Sequence, residues 1–487
     1  MVGPVLNLDP AAELATRRIV AGGPLANWTL NEVMAFIGQI KDFAEGIPVG
    51  GTIEQTTTNI STEVQPWINV VLPALATSGQ ATPPSAFGGT YNIVEFFGNL
   101  GINIQREIFS GTVTVNANGT FSGTVAGNNV AQAESCVAPQ TFPCGRTFTR
   151  TISPQSDSFS GTYVYLGNGL IFFTTAEEGG GTDSVLGAMD PTGTILVVPE
   201  GGSTAGFSLA VKAGSGTVAG TFQTTELLSQ IPATFSATSV WQGVASEMTF
   251  GTVTVTGSNF AANLTSSRMQ QSFSCLESSG SCSLTATVSS TESVDTPSGT
   301  MAAGPAAGQV TFTTAEGSVP GAVSPDGNIL WIKTGDGSEG EPGVLVAIHE
   351  GSGMSNASLN GAYNVTGFTH QLTGGNNPSA SDGTILGVVT FDGAGGWSFG
   401  GVDTKNIRGT SCSTTSCPST ALSRSSSGDT SSGTYSVNAN GTFTMTSTSG
   451  TDLSTLQGMV SPDGNVVGLR DVSSAQGEHL LIFALKQ

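Results

Sequence analysis

Ser324-Pro325-Asp326-Gly327-Asn328-Ile329 recurs as Ser461-Pro462-Asp463-Gly464-Asn465-Val466, and a weaker version stands at Asp190-Pro191-Thr192-Gly193-Thr194-Ile195. Pro, Asp and Gly in this order favour a tight turn, and apolar residues flank each copy, so the stretch predicts the tip of a β-hairpin. The three copies begin 134 and 137 residues apart. The sequence therefore predicts a tandem repeat with a period of roughly 130 residues.

Two further markers follow the same period. Each copy opens on a glycine and an aromatic residue, at Gly89-Thr90-Tyr91, Gly220-Thr221-Phe222 and Gly361-Ala362-Tyr363. Each copy also contains two hairpins whose alternating strands begin at a glycine, and some of their turns carry the Asn-Gly pair that favours a two-residue turn. The six hairpins begin at Gly111, Gly161, Gly251, Gly299, Gly387 and Gly433.

The spacing of these hairpins decides between two all-β architectures. A six-bladed propeller would space them evenly, whereas here short intervals alternate with long ones. Alternating apolar residues predict eight or nine strands in the third copy, joined by short connections. We therefore predict an all-β fold of three tandem antiparallel meander β-barrels, at residues 86–215, 216–355 and 356–487. Two-sheet sandwiches and the six-bladed propeller are the alternatives.

Residues 1–85 stand outside the repeat. Thr29-Leu30-Asn31-Glu32 is a capping-box pattern, and the apolar residues after it follow a helical period, so we predict a short helical N-terminal segment. This segment could pack on the barrels or provide self-association or a surface partner. No run of eighteen apolar residues predicts a transmembrane helix, and Met1 to Ile19 lacks the apolar core of a signal peptide.

The six cysteines form one close pair in each copy: Cys136 with Cys144, Cys275 with Cys282, and Cys412 with Cys417. The three histidines lie outside the cysteine loops and the spacing is not of the CxxC type, which disfavours metal binding and redox catalysis. We predict three structural disulfides and hence an extracellular or cell-surface location, with the periplasm as an alternative. The absence of a signal peptide conflicts with this location.

The composition excludes some classes of function. A net charge of −21, with no cluster of Lys and Arg, disfavours nucleic-acid binding. Gly396-Trp397-Ser398-Phe399-Gly400 matches the nucleophile elbow of serine hydrolases, but its context is a hairpin and only His479 follows it. We therefore predict no catalytic residue, no cofactor and no metal ligand.

Adjacent phenylalanines occur in two of the predicted strands. In each of the pairs Phe96-Phe97 and Phe172-Phe173, successive side chains of a strand point to opposite faces. If the strand is half buried, one ring of each pair faces outward and could mark a contact with a neighbouring copy or a partner, and we favour packing in the core or between copies.

The opening Gly-x-aromatic motif, the glycine-led hairpins and the Ser-Pro-Asp-Gly-Asn turn resemble repeated β-domains of uncharacterised secreted bacterial proteins. More distantly they are similar to barrels of the lipocalin and avidin type. This resemblance implies an eight-stranded barrel that could hold a ligand at an open end. The leading hypothesis is a non-enzymatic extracellular or cell-surface structural or adhesive protein. The alternatives are a lipocalin-like protein that binds a small ligand or glycan, and last a carboxylate-dependent hydrolase.

Overall fold

The computed structural model describes residues 83–101, 103–136, 146–176, 182–200, 204–237, 240–278, 281–336, 340–413, 416–449, 455–471 and 477–487. Over these ranges the chain forms β-strands and one 3-10 turn, Asn356–Ser358. The same ranges contain no helix that is both long and apolar enough to cross a membrane.

The strands fall into three consecutive groups along the chain. The first group is β1 Gly89–Leu100, β2 Ile104–Val115, β3 Thr120–Cys136, β4 Arg146–Gly167, β5 Leu170–Ala176, β6 Thr182–Met189, β7 Ile195–Glu200 and β8 Ala205–Lys212. The second is β9 Gly220–Gln230, β10 Phe235–Ala237, β11 Val240–Thr256, β12 Asn259–Ser278, β13 Ser281–Asp295, β14 Ser298–Ala303, β15 Gln309–Thr314, β16 Gly317–Val323, β17 Ile329–Asp336 and β18 Pro342–His349. The third is β19 Asn360–Thr373, β20 Ser379–Asp392, β21 Gly396–Ser413, β22 Ser416–Val437, β23 Thr442–Ser449, β24 Thr455–Val460, β25 Val466–Asp471 and β26 Glu478–Lys486.

Each group closes into a ring of antiparallel strands. In the first ring β8 pairs with β1, in the second β18 pairs with β9, and in the third β26 pairs with β19. The second ring differs because Pro297 separates β13 from β14, and both pair with β12. Strand β10 leaves its own ring and pairs with β4 of the first. We call the three rings the first, second and third barrels.

The aromatic residue of the opening motif and the repeated turn meet at one end of the barrel. The Tyr363 hydroxyl of the opening motif donates to the Gly464 carbonyl of the repeated turn over 2.7 Å, and Tyr91 donates to Gly193 over 2.6 Å. Gly464 has a φ of +73°, which favours glycine. Within the turn, the Ser461 hydroxyl accepts the backbone N–H of Val466 at 3.0 Å. The turn therefore seals that end of its own barrel.

The structure corrects the predicted fold class. The predicted short helical N-terminal segment is not supported: the described residues contain no α-helix, and residues 1–82, on which that prediction falls, lie outside them. A capping box and a helical apolar period are local signals, whereas most helix stability in proteins comes from tertiary packing. The outer apolar faces of the described barrels are covered by one another. The sandwich and propeller alternatives are also wrong, since each ring closes on itself.

A common apolar core lies between the three barrels. It joins the outward faces of their first and last strands, including Phe96 and Phe207 of the first barrel, Leu227 of the second, and Phe368 and Phe483 of the third. Phe96 is fully buried and meets Phe368 edge to face at 5.5 Å. Phe97, its neighbour in sequence, packs against the core inside the first barrel. The phenylalanine pair thus joins two cores, as its alternation predicts.

The barrels contact one another in a cyclic order. An Asn or Gln on the first strand of each barrel reaches toward a hairpin of another, which is β14–β15 in the second barrel, β22–β23 in the third and β4–β5 in the first. These contacts run from Asn92 to Ala307, from Asn364 to Asn168, and from Gln223 through Glu350 to Asn440. The first barrel thus reaches the second, the second the third, and the third the first. The repeats therefore form a pseudo-threefold ring within one chain.

Three long hairpins extend beyond the barrels at the end opposite the repeated turns. They are β3–β4, β12–β13 and β21–β22, and we call their projecting parts the arms. A stack of aromatic rings joins the first two arms: Phe235 on Phe148 at 4.6 Å, Phe148 near Trp241 at 6.2 Å, and Trp241 on Phe273 at 5.2 Å. Because these rings are nearly parallel and largely buried, they hold the arms together.

A buried polar layer interrupts the common core. The Arg106 guanidinium of the first barrel lies 2.8 Å from Asp382 Oδ2 of the third and donates to Ser229 Oγ of the second over 2.6 Å. His370 Nδ1 lies 2.7 Å from Asp382 Oδ1. Arg106 and Asp382 are both fully buried. The ion pair of Arg106 with Asp382 and the hydrogen bond of Arg106 to Ser229 therefore link all three barrels.

Charge determines how this layer responds to pH. Burial by itself would raise the pKa of Asp382, but Arg106 and His370 outweigh it and hold that pKa below its usual value. Burial, with His370 nearby, lowers the pKa of His479 to about 3, and its Nδ1 is hydrogen-bonded to Ser246 at 2.8 Å. The stability that Asp382 provides is present above its unfolded pKa and is lost as the pH falls through its folded pKa.

We expect Asp382→Ala to lower the free energy of unfolding by about 3–5 kcal/mol, because it leaves the Arg106 charge buried without its partner. Denaturant unfolding of the whole protein at neutral pH measures the loss. The double variant Arg106→Met/Asp382→Leu removes both charges and should recover most of it. A single variant as stable as the wild type would show that the ion pair is not needed.

We expect Gly98→Ala to destabilise the same layer by about 1–3 kcal/mol, the usual cost of overpacking. A Cβ at Gly98 would lie 2.7 Å from both Arg106 Nη1 and Asp382 Oδ2. Gly400→Ala is the matched control, since a Cβ there meets nothing within 4 Å. Equal thermal midpoints for the two variants would contradict the close packing.

Candidate functional site

The cysteines predicted to form disulfides lie at or beside the ends of the arms. Cys136 is the last residue of β3, and the backbones of Cys275 and Cys282 belong to β12 and β13. Cys412 and Cys417 stand in β21 and β22, and Cys144 lies outside the described residues. The cysteine side chains are likewise outside the described part of the structure. The three disulfides stay a prediction.

The structure does not bring the nucleophile-elbow residues together. Ser398 is exposed on β21, where its neighbours across the sheet are Thr390 and Ser432. His479 is buried between barrels, and its Nδ1 contacts Ser246 instead. Nor do the described residues contain a group of three His, Cys, Asp or Glu side chains that could hold a metal ion.

A cavity of about 180 Å³ opens inside the first barrel, above the sealed end. Its walls are mostly apolar: Ile93, Val113, Val115, Phe121, Phe159, Phe173, Val185, Leu196, Val198 and Ala210. Phe121 meets Phe173 edge to face at 5.3 Å and lies 6.2 Å from Phe159. Four polar residues complete the lining, namely Glu95, Thr175, Glu200 and Ser208. The barrel therefore offers an aromatic chamber with carboxylates in its wall.

Glu95 is the chemically distinctive residue of this cavity. It stands on β1, opposite Ser208 of β8, and its side chain is half-buried. Burial raises the pKa of Glu95 to about 7, and the negative charges of Asp157 and Glu107 raise it further, against a hydrogen bond from Ser208. At neutral pH this carboxyl group is therefore poised between its acid and its carboxylate.

The third barrel has a similar cavity with different charges. About 150 Å³ of space lies among apolar residues that include Trp397, Phe399 and Met445. Lys405 Nζ lies 3.2 Å from Asp403 Oδ2 and 3.5 Å from Glu478 Oε1 in its wall. Burial lowers the pKa of Lys405, but the two carboxylates outweigh it and the net shift is upward. The ammonium group of Lys405 thus already pairs with the carboxylates in the wall of this cavity.

In the second barrel, Glu226 takes the place of Glu95. Both residues stand four positions after the aromatic residue of the opening motif, whereas Gly367 stands there in the third barrel. Glu226 is buried, at 8% exposure, and burial raises its pKa to about 7, with a further contribution from Glu247. An acid at the same inward-facing strand position in two copies was the sequence signal for these residues, and neither was among the predicted site residues.

We expect Glu226 to make the protein less stable as the pH rises. Its folded pKa of about 7 exceeds the ordinary 4.5, so the folded state holds a proton that the unfolded state releases between these values. The free energy of unfolding should therefore fall by about 3 kcal/mol between pH 4.5 and pH 8 on account of this group. Glu226→Gln should remove that component, as measured by denaturant unfolding at both pH values.

The matched control is Glu316→Gln, since Glu316 is exposed at the turn between β15 and β16. That variant should keep the pH dependence of the wild type. A Glu226→Gln protein that still loses the same free energy between pH 4.5 and pH 8 would refute the assignment.

No protein-family model matches the chain, and no curated protein matches it. Among solved structures it is similar to a mutant of the vaccine antigen transferrin binding protein B from Haemophilus parasuis Hp5, with 10% identity, 83% of this chain and 77% of that chain covered, and a TM-score of 0.20. It is also similar to the isotype 1 transferrin binding protein B from serogroup B Neisseria meningitidis, with 10% identity, 82% and 77% covered, and a TM-score of 0.16. Similarities at these TM-scores carry no argument about fold or function. They do not confirm the resemblance to lipocalin- and avidin-type barrels.

Proposed function

We propose that the protein is a non-enzymatic extracellular or cell-surface protein that binds small ligands inside its barrels. The observation that carries this proposal is the cavity of the first barrel, with apolar walls and a half-buried carboxyl group. A concave, largely apolar space with a few converging polar groups is the usual form of a small-molecule site. The cavity is smaller than the 300–1,000 Å³ typical of drug-sized ligands, so it suits a small molecule or one end of a larger one.

The third barrel supports the same proposal independently. Its cavity also lies beyond the end sealed by the repeated turn, and again combines aromatic walls with charged groups. The two cavities differ in the charge that a ligand would meet. The protein would then hold two ligands of different chemistry in two barrels of one chain.

A structural or adhesive role is the second candidate, and the arms favour it. Residues 149–160 of β4 pair with β3 on one side and have no strand on the other among the described pairings. Most of β13 and the first part of β22 are open in the same way. An open strand edge can pair with an added strand, and β10 already does so on β4.

The predicted disulfides fit either role. Cross-links between Cys136 and Cys144, Cys275 and Cys282, and Cys412 and Cys417 would hold the ends of the arms, which lack a barrel around them. They would require an oxidising compartment, in line with the extracellular or cell-surface location that we propose. We also propose that the three repeats span residues 86–215, 216–355 and 356–487.

The proposal predicts two separable sites for short neutral alcohols. Isothermal titration of the whole protein with hexan-1-ol should detect binding to both cavities. Ala210→Phe should remove the first-barrel site and Ser447→Phe the third-barrel site, because the added ring fills the cavity that each residue lines. Val198→Phe fills the first cavity from another strand and covers the case in which Ala210→Phe does not fold.

Val294→Phe is the control, since Val294 is 70% exposed on β13 and lines neither cavity. It should bind hexan-1-ol as the wild type does. Absence of binding to the wild type at millimolar concentration, or binding that survives both fillings, would overturn the proposed function.

A further inference from the structure

We propose that a cavity between the second and third barrels is a binding site for a small organic carboxylate, held by the Arg470 guanidinium. The cavity has a volume of about 260 Å³, larger than the cavities inside the first and third barrels. It lies outside the barrels, so the inference goes beyond the proposed function and does not depend on it.

Strands of two barrels form the walls of this cavity. Residues of β9 and β18 line it from the second barrel, and residues of β23 to β26 line it from the third. The apolar part of the wall includes Val346, Ile348, Met459, Leu481 and Phe483. Of the described residues that line the cavity, Arg470 alone is charged and none is Asp or Glu. The lining is therefore positively charged, in a protein whose net charge is −21.

Arg470 contacts both barrels beside the cavity. From β25 of the third barrel, its Nη1 donates to the Thr224 carbonyl of the second over 3.3 Å, and its Nη2 donates to Gln457 Oε1 over 2.7 Å. The central carbon of the guanidinium lies 4.0 Å from the centroid of the Phe250 ring. Its Nε has no hydrogen-bond partner within the described part of the chain. The described partners of Arg470 are therefore all neutral.

Two other buried arginines differ from Arg470 in having a carboxylate beside them. Arg106 lies 2.8 Å from Asp382, and Arg408 lies 3.5 Å from Glu134. Burial lowers the pKa of Arg470 to about 10, with no described carboxylate to oppose that shift, so the guanidinium is still charged at neutral pH. A charge taken out of water is costly without a partner. An anion in the cavity would supply to Arg470 what Asp382 supplies to Arg106.

One carboxylate does contact a residue of the lining. Glu350 Oε1 accepts from Gln223 Nε2 at 2.7 Å and from Asn440 Nδ2 at 3.0 Å. This carboxylate is thus already bonded by two amides, and Glu350 is not among the described lining residues. Arg470 remains the charge that a ligand in the cavity would meet.

The wall favours a carboxylate with an apolar body over an inorganic anion. Guanidinium groups bind carboxylates and phosphates through charge-assisted hydrogen bonds. A short-chain acid can place its charge at Arg470 and its hydrocarbon against Val346, Ile348 and Phe483. Sulfate or free phosphate would leave that apolar surface without a partner. The cavity is slightly smaller than the 300–1,000 Å³ typical of drug-sized ligands, which suits a small acid.

Hexanoate and hexanamide provide the test, because they have nearly the same shape and differ in charge. Each is titrated into the whole protein by calorimetry at neutral pH and physiological salt, which screens the overall negative charge. We expect the wild type to bind hexanoate more tightly than hexanamide. Arg470→Gln should weaken hexanoate about tenfold, which corresponds to about 1.4 kcal/mol, and leave hexanamide unchanged. The variant should fold, because removing this cation leaves no carboxylate without its partner.

Arg268→Gln is the matched control, since Arg268 is half-buried on β12 and lines neither this cavity nor those of the first and third barrels. It makes the same change of charge and should alter the affinity for neither compound. Thr444→Phe fills the cavity from β23 and should abolish the binding of hexanoate with Arg470 still in place. Thr225→Phe fills it from β9 and covers the case in which Thr444→Phe does not fold.

The outcomes separate this inference from the proposed function. Hexanoate binding that is unchanged in Arg470→Gln, or that survives both fillings, would place the acid elsewhere and overturn the inference. Sulfate that binds the wild type as tightly as hexanoate would refute the carboxylate as the ligand class. If hexan-1-ol binds inside the barrels but hexanoate does not bind at all, the inference fails and the proposed function stands.

Discussion

Burial of both faces of each barrel's first strand is the constraint on which the structure depends. In β1, Tyr91 and Ile93 point into the first barrel, while Val94 and Phe96 point into the common core between barrels. Such a strand has no solvated face, and neither do its last-strand neighbours β8, β18 and β26. A barrel of this kind cannot stand alone without exposing a large apolar surface. Three copies in a closed cycle cover that surface for one another. Each barrel can therefore keep both faces of its first strand apolar only when the other two copies pack against it.

The polar layer determines the order in which the three barrels contact one another. Gly98, Ser229 and His370 stand at equivalent positions of the three first strands, and Arg106, Ser246 and Asp382 are their partners on the second strands. Each copy therefore contributes a different residue to one network. A wrong arrangement would leave the guanidinium or the carboxylate buried and unpaired, which is costly.

The sequence predicted what depends on local signals and missed what depends on partners. The turn Ser461–Val466 and the opening Tyr363 could be recognised from residue type alone, because positive φ and strand alternation are local properties. The helical N-terminal segment was also a local inference, and the described residues do not support it. No spacing could reveal that Arg106 would meet Asp382, since 276 residues separate them. Glu95 was missed for a different reason. An acidic residue on a strand is expected to face solvent unless its strand position is known to point into the barrel.

The position four residues after the opening aromatic shows how binding could arise on this scaffold. It holds Glu95 beside a cavity, Glu226 in full burial, and Gly367 in the third barrel, where the charge comes from Asp403, Lys405 and Glu478 instead. Burying Glu226 opposes folding at neutral pH, so a structural role alone does not account for an acid there. The common core and the polar layer hold the barrels in place from outside. Their interiors are thereby free to carry groups that a single barrel, stabilised only from within, would have to fill with apolar side chains.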